Sequence, residues 1–125
     1  MAVAQKLIAI GLLLMGMLVT GLWLDHFAKP LDPFLTTAHK LLALAWAIFA
    51  IILVSHSARH IESRAAFFAA IAVLGVSIVA LFASGALLTM PKVEGAFWLT
   101  LHRIASVAAA VAGAIAARLI LLSKP

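Results

Sequence analysis

The chain has no cysteine. That absence excludes disulfides, iron–sulfur clusters, thiolate-ligated haem and c-type haem attachment, and it removes redox compartment from what composition can indicate. Charge is nearly as scarce: only 10% of the 125 residues are charged, four of them acidic, against 66% apolar residues. The acids Asp25, Asp32, Glu62 and Glu94 all fall between apolar runs, so no carboxylate is expected within a membrane. Proton-coupled transport, which relies on such groups, is disfavoured. A water-soluble domain needs more polar surface than this, and a mean hydropathy of +1.24 fits a chain dissolved in lipid.

What is present is four apolar runs, Leu7 to Leu24, Phe34 to Val54, Ala65 to Met90 and Ala96 to Leu122. Each reaches the roughly 20 residues that a helix needs to cross the hydrocarbon core. Together they leave room for a single domain over residues 1–125. The first run follows Lys6, as in a signal peptide. It is longer than the usual h-region of about 7–15 residues and lacks an Ala-x-Ala cleavage site before Asp25, so it is read as a helix. Two prolines and two acids between Asp25 and Pro33 mark one break, and Pro91 to Gly95 marks another. Ser55 to Arg64 is the one sustained polar stretch. Short connections make consecutive helices antiparallel neighbours.

The formal charge of +5 and a pI near 10.5 could suggest nucleic acid, but the basic residues stand singly at helix ends, so no nucleic-acid partner is expected. Lys6, Arg59, Arg64, Arg118 and Lys124 fall on one side of a four-helix topology, and Lys29, Lys40, Lys92 and Arg103 on the other. Lys40 and Arg103 lie inside helix starts. With those two set aside, the bias puts both termini and the loop from His56 to Arg64 in the cytoplasm, in what would be a bacterial inner membrane.

A short pattern occurs twice, 63 residues apart: FLTTAHK at 34–40 and FWLTLHR at 97–103. About eighteen residues before each histidine, Thr20-Gly21 and Ser84-Gly85 close the preceding run. The chain therefore reads as two helix-hairpin repeats, about 5–60 and 64–122. The expected fold class is all-α, a transmembrane four-helix bundle built from two parallel hairpin repeats. His39 and His102 would then lie at one depth, near the outer face, on the second and fourth helices. A pair of facing imidazoles suits a metal or a haem iron, although a lone intramembrane histidine more often donates to a neighbouring carbonyl.

The surroundings leave space for a flat ligand. Below His102 the same helix face carries Ala105, Ser106, Ala109 and Gly113, whereas below His39 it carries Leu42, Ala43, Trp46 and Ala50. Small residues at this spacing equally serve close helix packing. Gly21 and Gly85 can admit the close approach of a ring, or simply of a neighbouring helix. Lys40 and Arg103 follow the histidines, placed to reach lipid phosphate or the carboxylates of a bound ligand.

This layout of Thr20-Gly21, His39-Lys40, Ser84-Gly85 and His102-Arg103 on four helices resembles the four-helix membrane b-type cytochromes and one half of the heme A synthase fold. The resemblance spans nearly the whole chain on few residues. It implies one haem b per chain, with His39 and His102 as axial ligands and Lys40, Arg103, Gly21, Gly85 and Ser106 around it. Heme A synthases carry an acidic residue shortly before a ligand histidine. Here Thr36 and Leu99 stand three residues ahead, which speaks against haem modification and favours an electron-transfer protein over an enzyme. An inner haem is not expected, because the repeat partner of His56 is Leu119.

His56 and His60 are spaced i,i+4, as in a metal clamp, but a basic loop at anionic lipid explains them as well. His26 and Met90 fall near equivalent repeat positions and could serve as an alternative axial ligand or line an outer path, though an interfacial location alone explains both. The partners expected are the lipid bilayer and either a quinone or an outer-face redox protein, with a homo-oligomer also open. The alternative reading is a non-catalytic membrane assembly subunit, or a small dimeric transporter module, without haem.

Overall fold

The computed structural model describes residues 3–27, 30–58, 61, 64–93 and 95–122. Lys29, Arg59, His60, Glu62, Glu94 and Lys124 lie outside the described residues. The fold is all-α, with no strand among the described residues. Its helices are α1 (Val3–His26), α2 (Pro33–Ser57), α3 (Arg64–Leu88) and α4 (Gly95–Leu122). All four are long and apolar enough to cross a bilayer, which points to a membrane protein. Helices are what hydrocarbon demands here, since an unsatisfied backbone N–H or C=O has no water to turn to and a helix pairs them internally.

Local chemistry explains the ends. At the start of α2 the Leu35 N–H donates to Asp32 Oδ1 at 2.7 Å, and Pro33 occupies a first-turn position that needs no N–H. Helix α1 continues through Asp25 and His26, beyond the expected stop at Leu24, because no breaker occurs before Pro30. Helix α3 stops at Leu88, two residues short of the expected Met90. There the chain tightens into i→i−3 bonds, Thr89 N to Ala86 O at 3.2 Å and Met90 N to Leu87 O at 3.0 Å, ahead of Pro91. Hydroxyls within the apolar spans bond back to their own helix: Thr37 Oγ1 to Pro33 O at 2.8 Å, Thr100 Oγ1 to Ala96 O at 2.9 Å, Ser55 Oγ to Ile52 O at 2.9 Å.

The chain divides into two compact units, residues 1–58 and 59–125. In the first, α1 packs on α2, and in the second α3 packs on α4. From Gly16 to Thr20 on α1 the facing residue on α2 recedes from Leu42 to His39, so this hairpin is antiparallel. The second runs the same way, with Ser84 opposite His102 and Leu88 opposite Gly95. In α3 the buried residues Phe67, Ala70, Leu74, Ser77 and Ser84 follow spacings of three, four and seven. In α4 Ala105, Ala109, Ala112, Ala116 and Ile120 do the same with threes and fours. That period belongs to shallow, coiled-coil-like crossings. Lipid tails are as apolar as leucine, so a hairpin in lipid gains little from burial as such. The alanine face of α4 instead allows the close backbone approach that dispersion forces require. Leu12, Val19, Val76, Val79, Ile104 and Val107 are each more than half exposed, as lipid-facing side chains should be.

Candidate metal-ligand histidines

His39 stands six residues beyond the first residue of α2, and His102 seven beyond that of α4, which is about 9–10 Å along each axis at 1.5 Å per residue. Each ring is half-buried and meets the preceding helix of its own hairpin in the same way. Thr20 Oγ1 lies 3.0 Å from His39 Nδ1, and Ser84 Oγ lies 2.8 Å from His102 Nδ1.

The direction of these bonds follows from where each hydroxyl proton goes. Thr20 Oγ1 is 2.9 Å from Gly16 O and 3.1 Å from Met17 O. Ser84 Oγ is 2.6 Å from Ala80 O and 3.3 Å from Leu81 O. Two oxygens 2.6 Å apart repel unless a proton lies between them, and a carbonyl has none to give. At Ser84 the hydroxyl proton is therefore drawn to Ala80 O, leaving its oxygen to accept from His102 Nδ1–H; at Thr20 the 2.9 Å approach to Gly16 O favours the same assignment for His39. In a neutral imidazole with Nδ1 protonated, Nε2 carries the lone pair. The same assignment in both hairpins would put the ring proton on Nδ1, the tautomer whose Nε2 can ligate a metal.

The two glycines explain how the rings come so near. A Cβ placed on Gly21 would stand 3.0 Å from His39 Cε1, and one on Gly85 would stand 3.4 Å from His102 Cε1. The ring that each glycine admits is the imidazole of its own hairpin. Thr20 and Gly21, like Ser84 and Gly85, form one contact surface: the hydroxyl fixes the nitrogen and the missing side chain makes space for the carbon.

The other expected site residues are placed less tellingly. Lys40 and Arg103 are exposed. Ser106 Oγ donates to His102 O at 2.7 Å, so its proton goes to its own helix backbone. Ala105 and Ala109 are 5% and 1% exposed, and Gly113 is half-buried. Trp46, two turns beyond His39, is 4% exposed, and its indole N–H has no hydrogen-bond partner among the described residues. His26 is exposed and meets the Phe27 ring edge-on, with centroids 6.1 Å apart. His56 and Met90 are exposed.

Thr20 and Ser84, to which residue order alone assigns no role, are the hydroxyls that meet the two imidazoles. Their signal was the recurrence of a hydroxyl residue followed by glycine, 19 and 18 residues before the histidines. Among the described residues no three His, Asp or Glu side chains gather into a group able to hold a metal ion. Comparison with protein-family models, curated proteins and solved structures gives no match.

Proposed function

We propose that this chain is an integral-membrane b-type cytochrome that binds one haem b through His39 and His102 and carries single electrons. The observation that carries the reading is the hydroxyl-held imidazole, present once in each hairpin with the same donor atom and a glycine beneath the ring. Axial ligation asks each histidine for a proton-free nitrogen and a fixed ring, and a hydrogen bond at the other nitrogen meets both demands. Two neutral imidazoles add no charge to the membrane interior, where a carboxylate or thiolate would be costly. The donor set therefore fits a haem.

When bound, haem supplies the reversible ferric–ferrous couple, and the protein tunes it through ligand identity, hydrogen bonding and burial. His39 and His102 would hold the iron from two sides, and with both in place the group would serve electron transfer rather than oxygen chemistry. Lys40 and Arg103 bring positive charge to the helix starts, toward propionates or lipid phosphates at that interface. Gly21, Gly85 and Ser106 belong to the same setting, the glycines by leaving room and Ser106 through the His102 carbonyl. A quinone or an outer-face redox protein completes the electron path, in a bacterial inner membrane with both termini cytoplasmic.

The test is optical. The purified protein in detergent should show a low-spin haem spectrum that changes on reduction, and the double variant His39→Ala, His102→Ala should lose it. A colourless wild-type preparation would instead favour the assembly-subunit or dimeric-transporter reading. Retention of the spectrum by the double variant would also overturn the proposal.

A further inference from the structure

Thr20 and Ser84 do more than fill space beside the histidines. We propose that these two hydroxyls are the positioning residues of the site: they choose the ring nitrogen offered to the metal, and they set how strongly each imidazole favours ferric over ferrous iron. The assignment rests on the haem reading above for its second half only; the choice of tautomer belongs to the protein without any cofactor.

The argument starts from proton accounting. Each hydroxyl oxygen lies within hydrogen-bond reach of a carbonyl one turn back, and with its proton drawn there the oxygen is left to accept from Nδ1–H. A serine or threonine that back-bonds in this way is a one-directional acceptor, unlike a hydroxyl in water, which turns to suit either tautomer. In hydrocarbon no water offers a substitute, so an imidazole with Nε2–H would leave its Nδ1 lone pair facing another lone pair. The ring is thereby switched to the ligand-competent form before any metal arrives.

The second half follows from what an acceptor at Nδ1–H does to Nε2. It raises the basicity of the ligand nitrogen, which stabilises the more positive ferric iron over the ferrous. Because the acceptor is a neutral hydroxyl, this push is smaller than a carboxylate would give, and the ring stays imidazole rather than approaching imidazolate. The two sites are not equal. Ser84 is 0% exposed and its bond to His102 is 2.8 Å, whereas Thr20 is half-buried with a bond of 3.0 Å. Loss of the Ser84 hydroxyl is therefore the larger perturbation.

Two measurements test the proposal, one without haem and one with it. In the cofactor-free protein labelled with 15N-histidine in micelles, the rings of His39 and His102 should report Nδ1–H. Thr20→Val and Ser84→Ala should each shift their own histidine toward Nε2–H, while Thr20→Ser and Ser84→Thr, which keep the oxygen, should not. In the haem-loaded protein the same two losses should weaken retention by about 10- to 100-fold, the usual range for an outer-shell ligand partner. They should also raise the midpoint potential, Ser84→Ala more than Thr20→Val. If ferric affinity falls tenfold more than ferrous, the rise is about 59 mV for one electron. An Nε2–H ring in the wild-type apoprotein overturns the proposal. So do loaded Thr20→Val and Ser84→Ala variants with unchanged potential and haem retention. A colourless wild type would reject the haem reading but leave the NMR result to decide the tautomer. Circular dichroism of each variant, with the serine and threonine rescues beside it, separates these outcomes from misfolding.

Discussion

The two glycines beneath the histidines should respond very differently to the same substitution, Gly→Ala. At Gly21 the new Cβ would stand 3.0 Å from His39 Cε1, with Nδ1 at 3.6 Å and Nε2 at 3.9 Å. Ordinary contact begins near 3.4 Å, so the ring must retreat from α1 by the difference, about 0.4 Å. That retreat stretches the 3.0 Å bond to Thr20 toward 3.4 Å, beyond the usual N–H···O range. Overpacking of this kind costs about 1–3 kcal/mol, and a weakened hydrogen bond in an apolar site adds about 1 kcal/mol. The gain in helix propensity from glycine to alanine returns up to about 1 kcal/mol. Gly21→Ala should thus destabilise its hairpin by about 1–3 kcal/mol. At Gly85 the nearest atom is already at 3.4 Å and the next at 3.8 Å, so the methyl group fits and only the propensity gain remains. The two variants should differ by about 2 kcal/mol or more, roughly 30-fold in an equilibrium constant. Reversible unfolding in mixed micelles, followed by circular dichroism, measures that difference. Equal stability of the two variants, or a more stable Gly21→Ala, would refute the close-approach argument.

Three further expectations are open to measurement. Asp32→Ala should cost about 1 kcal/mol of helix stability through loss of the cap on Leu35 N–H, while Asp32→Asn should cost much less; thermal unfolding of the two would show it. Trp46→Phe removes a buried donor with no partner among the described residues, relieving a penalty of about 1–3 kcal/mol that offsets the lost volume. Its unfolding midpoint should stay level or rise, and a fall equivalent to about 2 kcal/mol would show that the indole N–H is satisfied. Finally, on the proposed haem reading, single variants His39→Ala and His102→Ala should each lose the low-spin spectrum, because either would remove one of the two proposed ligands; a six-coordinate low-spin signal surviving in one of them would name a different ligand.

Much of the architecture was readable from residue order. Four apolar runs of membrane length, separated by proline and acid, set the number and approximate bounds of the helices, because hydrocarbon forces every spanning segment to satisfy its own backbone. The errors fell at ends, where α1 ran on to His26 and α3 stopped at Leu88, since the terminal turns depend on local i→i−3 bonding and on the reach of the next proline. The echoed histidines and the Thr20-Gly21 and Ser84-Gly85 pairs were also visible as pattern.

Their meaning was not. A separation of 18 or 19 residues says nothing of contact until the loop length and antiparallel register bring Thr20 opposite His39 and Ser84 opposite His102. The glycines look ready for a cofactor, yet the nearest ring in each hairpin is the imidazole. Ser106 looks like a ligand contact, yet its proton serves the His102 carbonyl. Residue order by itself determined the solvent, the helices and the recurrence, because these follow from composition and spacing along one chain. Only the tertiary structure brought Thr20 to the His39 ring and Ser84 to the His102 ring, because contact between helices depends on a register that spacing along one chain does not fix.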